Sequence, residues 1–506
     1  EQERAIEAVL RGRDALVVLP TGYGKSIVYQ APALLLPRPV IAISPLIALM
    51  RDQERGLRRV GAPVVRIDST LGAAARRQAL ERLRKGGTLV VLTTPETLEA
   101  PDVRSALEQA RPMLLCVDEA HCISEWGHDF RPAYLRLGAE RAALGIETAL
   151  ALTATATPHV ASDIVERLGL RDPLVVRAPP HRANLELSVQ STPGNLKYEA
   201  AARLLKRLPR PGIVYCATTK AVDEVHAALT RARIPADRYH GKMKAAERTA
   251  AQRRFMKPDK RTVMVATSAF GMGIDKPNIR YVVHFQVPGS IEQYVQEAGR
   301  AGRDGKPARC VLLFDPADLA IQELLEEQSR PAAGQLARVG RALAAWAGEG
   351  KAPTGRELAL SAGVPARIAA IVCAQLEQLG LVALSDKRWR VHGAPDRVRA
   401  AADDLAVRFE VKRREDARRL AAMAAYAATE ECRSVFIRRW FGEEDPPRCG
   451  KCDRCKRMRA LRRTVTGAVE RARRSADAEG GAPKRRRRRR KKRRGGARGG
   501  ERPQRS

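Results

Sequence analysis

Short continuous runs of Val, Ile, Leu and Ala recur along the first 180 residues, at 15–20 (ALVVLP), 40–44 (VIAIS), 88–95 (TLVVLTTP), 113–121 (MLLCVDEAH) and 148–157 (TALALTATAT). Amphipathic segments separate them. Strands that are apolar on both faces and alternate with helices predict a parallel sheet covered by helices on both sides. The same rhythm returns after the linker RAPPHRANLE (177–186), at 212–218, 236–241, 262–270 and 281–288. The pattern therefore predicts an α/β fold with two tandem parallel-sheet domains, over 1–180 and 181–325.

Past residue 320 the strand pattern stops. Segments 335–347, 354–361 and 365–379 read as three short helices, and LVAL and RWRVH flank Ser385-Asp386-Lys387 as a hairpin. Three helices and a wing over 330–395 describe a winged-helix-like module with 365–379 as its recognition-type helix; an ordinary small helical domain with one hairpin fits the same pattern. Residues 396–440 read as a long Arg-rich helical stretch leading into a Cys cluster, the two forming a unit over 396–460. From about 475 onward the chain turns to Arg, Lys and Gly, which cannot build a core, so a disordered basic tail is expected over 470–506.

Charge sharpens this picture. Among 506 residues, 92 Lys and Arg face 57 Asp and Glu, a formal +35. Residues 484–506, including eleven consecutive basic residues from Lys484 to Arg494, hold +13 of it and leave +22 for the remainder. An excess spread over folded part and tail points to a polyanion, nucleic acid foremost. No stretch reaches the roughly 18–20 apolar residues that a membrane helix needs, so no membrane partner is expected. The tail suits sequence-independent tethering to DNA, and equally matches the composition of a nuclear-localisation run.

Three strings carry chemistry. Thr21-Gly22-Tyr23-Gly24-Lys25-Ser26 follows the strand ALVVLP and precedes an amphipathic segment. Glycines let backbone N–H groups curl around a phosphate, the lysine neutralises charge, and the serine hydroxyl reaches Mg²⁺. Asp118-Glu119-Ala120-His121 ends a later strand: Asp118 can hold Mg²⁺ and Glu119 can activate water for phosphoryl transfer. In the second domain, the string from Gln293 to Gly305 includes Gln296, Arg300 and Arg303. Two arginines three apart on a helix share a face and meet a γ-phosphate only if the second domain closes over the first.

At these residues the chain resembles superfamily 2 helicases. At ISEWGHDFRP (123–132), directly after DEAHC, the resemblance narrows to the RecQ family, whose aromatic-rich loop couples DNA contact to ATP hydrolysis. Trp126 and Phe130 offer stacking faces for bases, and His128 and Arg131 polar and cationic contacts. The resemblance covers about 1–320 and again 410–455, and implies two RecA-like domains. Gln2 falls where the family has its adenine-reading glutamine. Ser44-Pro45-Leu46 with Asp52-Gln53, Thr93-Thr94-Pro95-Glu96, and Ala266-Thr267-Ser268 match motifs that hold single-strand phosphates. Thr153-Ala154-Thr155 matches the motif linking hydrolysis to domain movement, and Asp275 belongs to motif V beside the nucleotide.

Of nine cysteines, Cys116, Cys122, Cys216, Cys310 and Cys373 sit in apolar or helical contexts as ordinary buried thiols. Cys432, Cys449, Cys452 and Cys455 are spaced C-x16-C-x2-C-x2-C, which suits a structural tetrahedral Zn²⁺ with no position left for water, a redox CxxC pair being the alternative. CRSVFIRRWFGE around Cys432 resembles the RecQ zinc subdomain. The chain departs from the family in order: most RecQ proteins place the winged helix after the zinc subdomain, whereas here about 75 residues of winged-helix-like sequence precede it. No helical HRDC domain is expected in the 51 residues after Cys455. The wing at 382–391, with Trp389 between Arg388 and Arg390, is a candidate for the family's strand-separating hairpin, and a structural spacer is the equal alternative.

The resemblance implies an ATP-dependent, Mg²⁺-requiring 3′ to 5′ DNA helicase of recombination and repair, acting on single-stranded and duplex DNA in a bacterial cytoplasm beside the nucleoid. Two other classes stay open: a DNA-stimulated ATPase that remodels or clamps DNA without separating strands, and a non-enzymatic zinc and winged-helix DNA-binding protein. Sequence names no protein partner.

Overall fold

The computed structural model describes residues 1–479 except 125–130, 181, 195, 258–261, 272–273, 275 and 330. The first sheet contains seven parallel strands: β1 (Ala15–Val18), β2 (Val40–Ile43), β3 (Val64–Ile67), β4 (Val90–Thr93), β5 (Leu114–Val117), β6 (Thr148–Thr153) and β7 (Leu174–Arg177). Their order across the sheet is β3-β4-β2-β5-β6-β1-β7. Strands β1, β2, β4, β5 and β6 are buried at every position, as their unbroken apolar runs require. One core cluster packs on each face of the sheet.

The second sheet has six strands: β8 (Leu185–Ser191), β9 (Gly212–Tyr215), β10 (Ala236–Tyr239), β11 (Val263–Ala266), β12 (Tyr281–His284) and β13 (Ala308–Phe314). They lie in the order β10-β11-β9-β12-β13-β8 and all neighbours run parallel. The two tandem parallel-sheet domains expected of the hydrophobic pattern are therefore present, and the fold is α/β. Strands β3, β7 and β8 escaped the pattern because they are half-exposed and interrupted by Arg66, Arg177 and Glu186. Strand β13 was also passed over, although its run CVLLF is as apolar as the others.

Helices Ala333–Gly348, Gly355–Ser361 and Ala366–Gln378 precede the hairpin β14 (Val382–Ser385) and β15 (Arg388–Val391). Asp386 and Lys387 both take left-handed backbone angles, the two-residue turn that matches strand twist. A bridge from Thr354 to Arg388 adds a third strand position, and the module has its own core around Leu336, Leu358, Val372 and Leu376. Three helices and a hairpin in this order are the elements expected of a winged-helix-like module. The exposed side of helix Ala366–Gln378 carries Arg367, Ala370, Ala374 and Glu377, a nearly neutral surface for a recognition helix, whereas the wing exposes Lys387, Arg388 and Arg390. Trp389 is half-buried against the module core.

A 34-residue helix, Pro395–Ala428, joins this module to the Cys cluster. At a rise of 1.5 Å per residue it spans about 50 Å. Its first half lends Val398, Leu405 and Ala406 to the winged-helix core, and its last turns lend Ala422, Met423 and Tyr426 to the core of the second sheet domain. Gly340 allows its close approach to helix Ala333–Gly348, since a Cβ at Gly340 would lie 2.3 Å from that of Ala402. Gly340→Leu is therefore expected to overpack this contact and to cost about 1–3 kcal/mol, read as a lowered midpoint in urea unfolding followed by circular dichroism; an unchanged midpoint would refute the packing.

After this helix the chain turns at 429–432 and forms helix Arg433–Trp440, so the Arg-rich helical stretch of 396–440 is two helices, broken where Cys432 enters the metal cluster. Arg433 is 1% exposed and clamps the unit shut. It pairs with Asp453 at 3.0 Å, donates to the carbonyls of Tyr426 and Ala427, and lies over the Tyr426 ring. Asp453 in turn accepts from the β8 backbone at Val189, and Trp440 donates to Glu292 at 2.8 Å. The Cys-bearing unit and the second sheet domain thus share one core. On its other side, Gly442 approaches the first domain, with Pro158 2.6 Å from where a Cβ would stand. A last helix, Asp453–Glu479, carries regular structure ten residues into the stretch from 470 that was expected to be disordered, because Arg, Ala and Glu propagate helix well. The remaining tail lies outside the described residues.

Candidate nucleotide and nucleic-acid site

Strands β1, β6 and β5 are neighbours, and the loops after all three open at one end of the first sheet. Thr21–Ser26 follows β1, Thr153–Thr155 ends β6, and Asp118–Glu119 follows β5. Ligands of open α/β sheets bind beyond the carboxyl ends of such strands. Gly22 and Gly24 take φ of +88° and +68°, which aim successive N–H groups inward, and Ser26 begins helix Ile27–Leu35. Lys25 is held within the loop by donating to the Leu19 carbonyl at 3.1 Å. Gln53 donates to Ser26 Oγ at 3.3 Å. Gln2 donates to the carbonyls of Tyr23 and Gly24, so it braces the loop from outside.

The charges here are buried together. Burial, and then the neighbouring Glu119, push the Asp118 carboxyl up to about 7 against the pull of Lys25. Burial also holds the Lys25 amine below its ordinary value; Arg303 adds to this while both carboxylates oppose it. Two adjacent carboxylates in a dry site favour a divalent cation, and a buried lysine beside two glycines favours a polyanion. Glu119 adopts a left-handed φ of +49°, a backbone strain of about 1–3 kcal/mol of the kind that functional sites retain. Its Oε2 is buried without a hydrogen bond, 3.4 Å from His121 Nδ1, which itself contacts Thr153 Oγ1 at 3.0 Å. Glu119 and the end of β6 are linked in this way through His121.

The second domain completes the site. Ser290 caps helix Ile291–Ala298 through Gln293 N, and Gln296 lies on that helix. The expectation that Arg300 and Arg303 share a helical face is incorrect. The helix ends at Ala298, and both arginines sit on the following turn, because Gly302 takes φ of +57° and donates to the Ile279 carbonyl instead of continuing the helix. The turn nevertheless meets the phosphate loop. A Cβ on Gly22 would lie 3.1 Å from Arg303 Cγ, and one on Gly299 would lie 3.2 Å from Thr21 Cβ. Arg300 is 5% exposed, packed under Gly271 and near Tyr215, with Nε unpaired.

The residues proposed for DNA fall into three groups. Ser44 is buried at the end of β2 with its hydroxyl unpaired, and Arg131 reaches the same loop by donating to the Pro45 carbonyl at 3.4 Å. Thr94 is buried and its hydroxyl accepts from Thr97 N, capping helix Pro95–Leu98; Thr267 is half-buried at the end of β11. Trp126, His128 and Phe130 lie outside the described residues, as does Asp275, which the resemblance assigns to the nucleotide. Arg182 and Asn184, which sequence reasoning missed, reach the arginine turn from the linker, where no motif surrounds them.

The four cysteines converge. Cys432 Sγ lies 3.5 Å from Cys449 Sγ and 3.8 Å from Cys452 Sγ, and all four sulfurs fall within 4.8 Å of one another. A Zn–S bond of about 2.3 Å gives a tetrahedron with edges of about 3.8 Å, so the cluster fits zinc. Backbone N–H groups of Cys449, Cys452 and Cys455 point at sulfurs, as thiolates require.

A phosphate loop and carboxylate pair on one parallel sheet, faced by an arginine turn from a second, define the two-domain architecture of the superfamily 2 helicase class. Residues 1–164 match the DEAD/DEAH box helicase family, 196–305 the helicase conserved C-terminal domain, and 399–456 the RecQ zinc-binding family. The chain is 35% identical over 466 residues to the ATP-dependent DNA helicase RecQ of Bacillus subtilis, covering 91% of this chain and 64% of that protein. It is 39% identical over 345 residues to the probable ATP-dependent DNA helicase RecS of the same organism, covering 68% and 69%, and 42% identical over 336 residues to ATP-dependent DNA helicase Q5 of Rattus norvegicus, covering 63% and 34%. The chain belongs to the RecQ family. It spans just under two thirds of the RecQ protein's length and about a third of Q5. Among solved structures, Mycobacterium smegmatis helicase Lhr bound to ssDNA and AMP-PNP shares the fold, with a TM-score of 0.51 at 21% identity over 80% of this chain and 59% of that one.

Proposed function

We propose that this protein is an ATP-dependent DNA helicase that moves 3′ to 5′ along one strand and separates the other. The observation that carries the reading is the packing of Arg303 from the second domain against Gly22 of the phosphate loop, with Lys25 beneath and Asp118 and Glu119 beside it. When bound, Mg-ATP supplies the γ-phosphoryl group and the free energy of its hydrolysis. Thr21, Gly22, Gly24 and Lys25 cradle phosphates, Ser26 and Asp118 hold the metal, and Glu119 takes the proton of the attacking water. Gln296, Arg300 and Arg303 stabilise charge from the second domain, so turnover depends on closure. Gln2 and Asp275 border the nucleotide. Ser44, Thr94, Arg131 and Thr267, with Trp126, His128 and Phe130, contact the strand; phosphate contacts of this kind do not read sequence. Zinc held by Cys432, Cys449, Cys452 and Cys455 is structural. Family membership supports DNA as the substrate, recombination and repair as the setting, and a cytoplasmic, nucleoid-associated place of action.

The test is strand displacement on duplexes bearing a 3′ or a 5′ single-stranded tail, with Glu119→Gln as the chemistry-dead control. Displacement from the 3′ tail alone, lost in the variant, is expected. DNA-stimulated hydrolysis without displacement would move the protein to remodelling, and an absence of stimulation by any DNA would sink the reading.

A further inference from the structure

Arg182 belongs to none of the motifs above, yet it stands at the centre of the contact between the two sheet domains. It lies three residues before β8, is 7% exposed, and anchors its own backbone by accepting from Leu185 N at 3.0 Å. Its guanidinium donates from Nη1 to the Gly302 carbonyl at 2.9 Å, and from Nη2 to the carbonyls of Gly299, at 3.0 Å, and Ala301. All three acceptors are on the turn that carries Arg300 and Arg303. Asn184 adds donations to Gly302 and Lys306, both at 2.8 Å. On its far side Arg182 faces the phosphate loop, 3.4 Å from where a Cβ on Gly22 would stand, and its Nε is buried without a partner.

The turn needs such a brace. Gly299 and Gly302 give it little conformational preference of its own, and its carbonyls lie past the end of a helix, where no intrahelical donor reaches them. A planar fork can satisfy three divergent carbonyls at once, whereas a lysine ammonium is a single point on a flexible stem. Burial holds the Arg182 guanidinium below its ordinary value and Arg303 beside it adds to this, so the brace and the turn's arginine lie close together at the phosphate loop.

We propose that Arg182 is a positioning residue for hydrolysis: it holds the Gly299–Gly302 turn against the phosphate loop so that Arg300 and Arg303 arrive together, an inference that rests on the ATPase reading of this site. A displacement of about 1 Å in such a group costs on the order of 10²-fold in rate. Arg182 therefore acts through the turn, and its loss should matter much less once Arg303 is gone.

A double-mutant cycle on the full chain tests this. Arg182→Ala is expected to lower DNA-stimulated kcat about 10- to 100-fold with the affinity for a fluorescent ADP analogue changed less than about threefold. In an Arg303→Ala background the same change should lower kcat less than about threefold, since interacting residues are non-additive. Arg182→Lys keeps the charge and the apolar stem, guards against simple misfolding, and should also lose about tenfold at an unchanged Tm. Additive losses, or wild-type turnover by Arg182→Lys, would overturn the positioning role alone. Wild-type turnover by Arg303→Ala would overturn the ATPase reading of the turn and this inference with it.

Discussion

Glu119→Gln is expected to lower DNA-stimulated ATP turnover by about 10²- to 10⁴-fold while leaving nucleotide affinity within about threefold, the profile of a lost proton acceptor. The geometry explains why this carboxylate and not its neighbour should dominate the chemical step. Glu119 carries a buried oxygen without a hydrogen bond, held on a strained backbone beside His121, whereas Asp118 already accepts from the Glu119 N–H at 3.0 Å. Gln keeps the shape and removes the charge that raises Asp118, so thermal stability should not fall. Rapid-quench measurement of the first turnover separates the chemical step from product release. A variant with an unimpaired first turnover would remove Glu119 from the reaction.

Cys452→Ser is expected to release zinc and to damage more than the metal cluster. Structural zinc contributes about 10–16 kcal/mol to small domains that fold around it, and one thiolate in four is forfeited. The consequence should spread, because the Cys-bearing unit is continuous with the core of the second sheet domain. Tyr426 packs against Tyr294 as a tilted ring pair with centroids 5.1 Å apart, and its hydroxyl lies 3.1 Å from that of Tyr294. Tyr294 is on the helix that ends at the arginine turn. Zinc loss should therefore lower ATP turnover by tenfold or more through that helix and add an early transition in calorimetry. Cys373→Ala, in the winged-helix core, is the control that should keep one equivalent of zinc. Full zinc content and an unchanged melting profile in Cys452→Ser would contradict the clamp.

Both effects were legible to different degrees along the chain. The phosphate loop and the DEAH string could be read because backbone-borne chemistry demands particular residues at fixed local spacing, and the four cysteines because tetrahedral ligation does the same. The RecQ relationship could be read at ISEWGHDFRP and around CGKCDRC for that reason. Most strands buried on both faces were legible as apolar runs, although β13 was passed over; β3, β7 and β8 were not legible, since half-exposed strands with charged residues leave a weaker signature, and β10 was read despite its exposure.

The arginine turn marks the boundary between the two kinds of information. That Arg300 and Arg303 belong to the site followed from their string; that they leave the helix did not, because Gly302 pairs with Ile279, a residue brought near only by the packing of the second sheet. Arg182 was invisible for the same reason: its three acceptors are about 120 positions away. The long helix Pro395–Ala428 reads in sequence as an Arg-rich stretch, and only folding divides it between two cores, one in the winged-helix module and one beneath the zinc unit. Sequence by itself determined the α/β class and singled out the phosphate-loop string, the carboxylate pair and the four cysteines, since those depend on periodicity and local spacing. Tertiary structure decided which domain supplies each charge and how the zinc unit reaches the arginine turn, because burial and hydrogen bonding between distant segments are set by packing rather than by any run of neighbours.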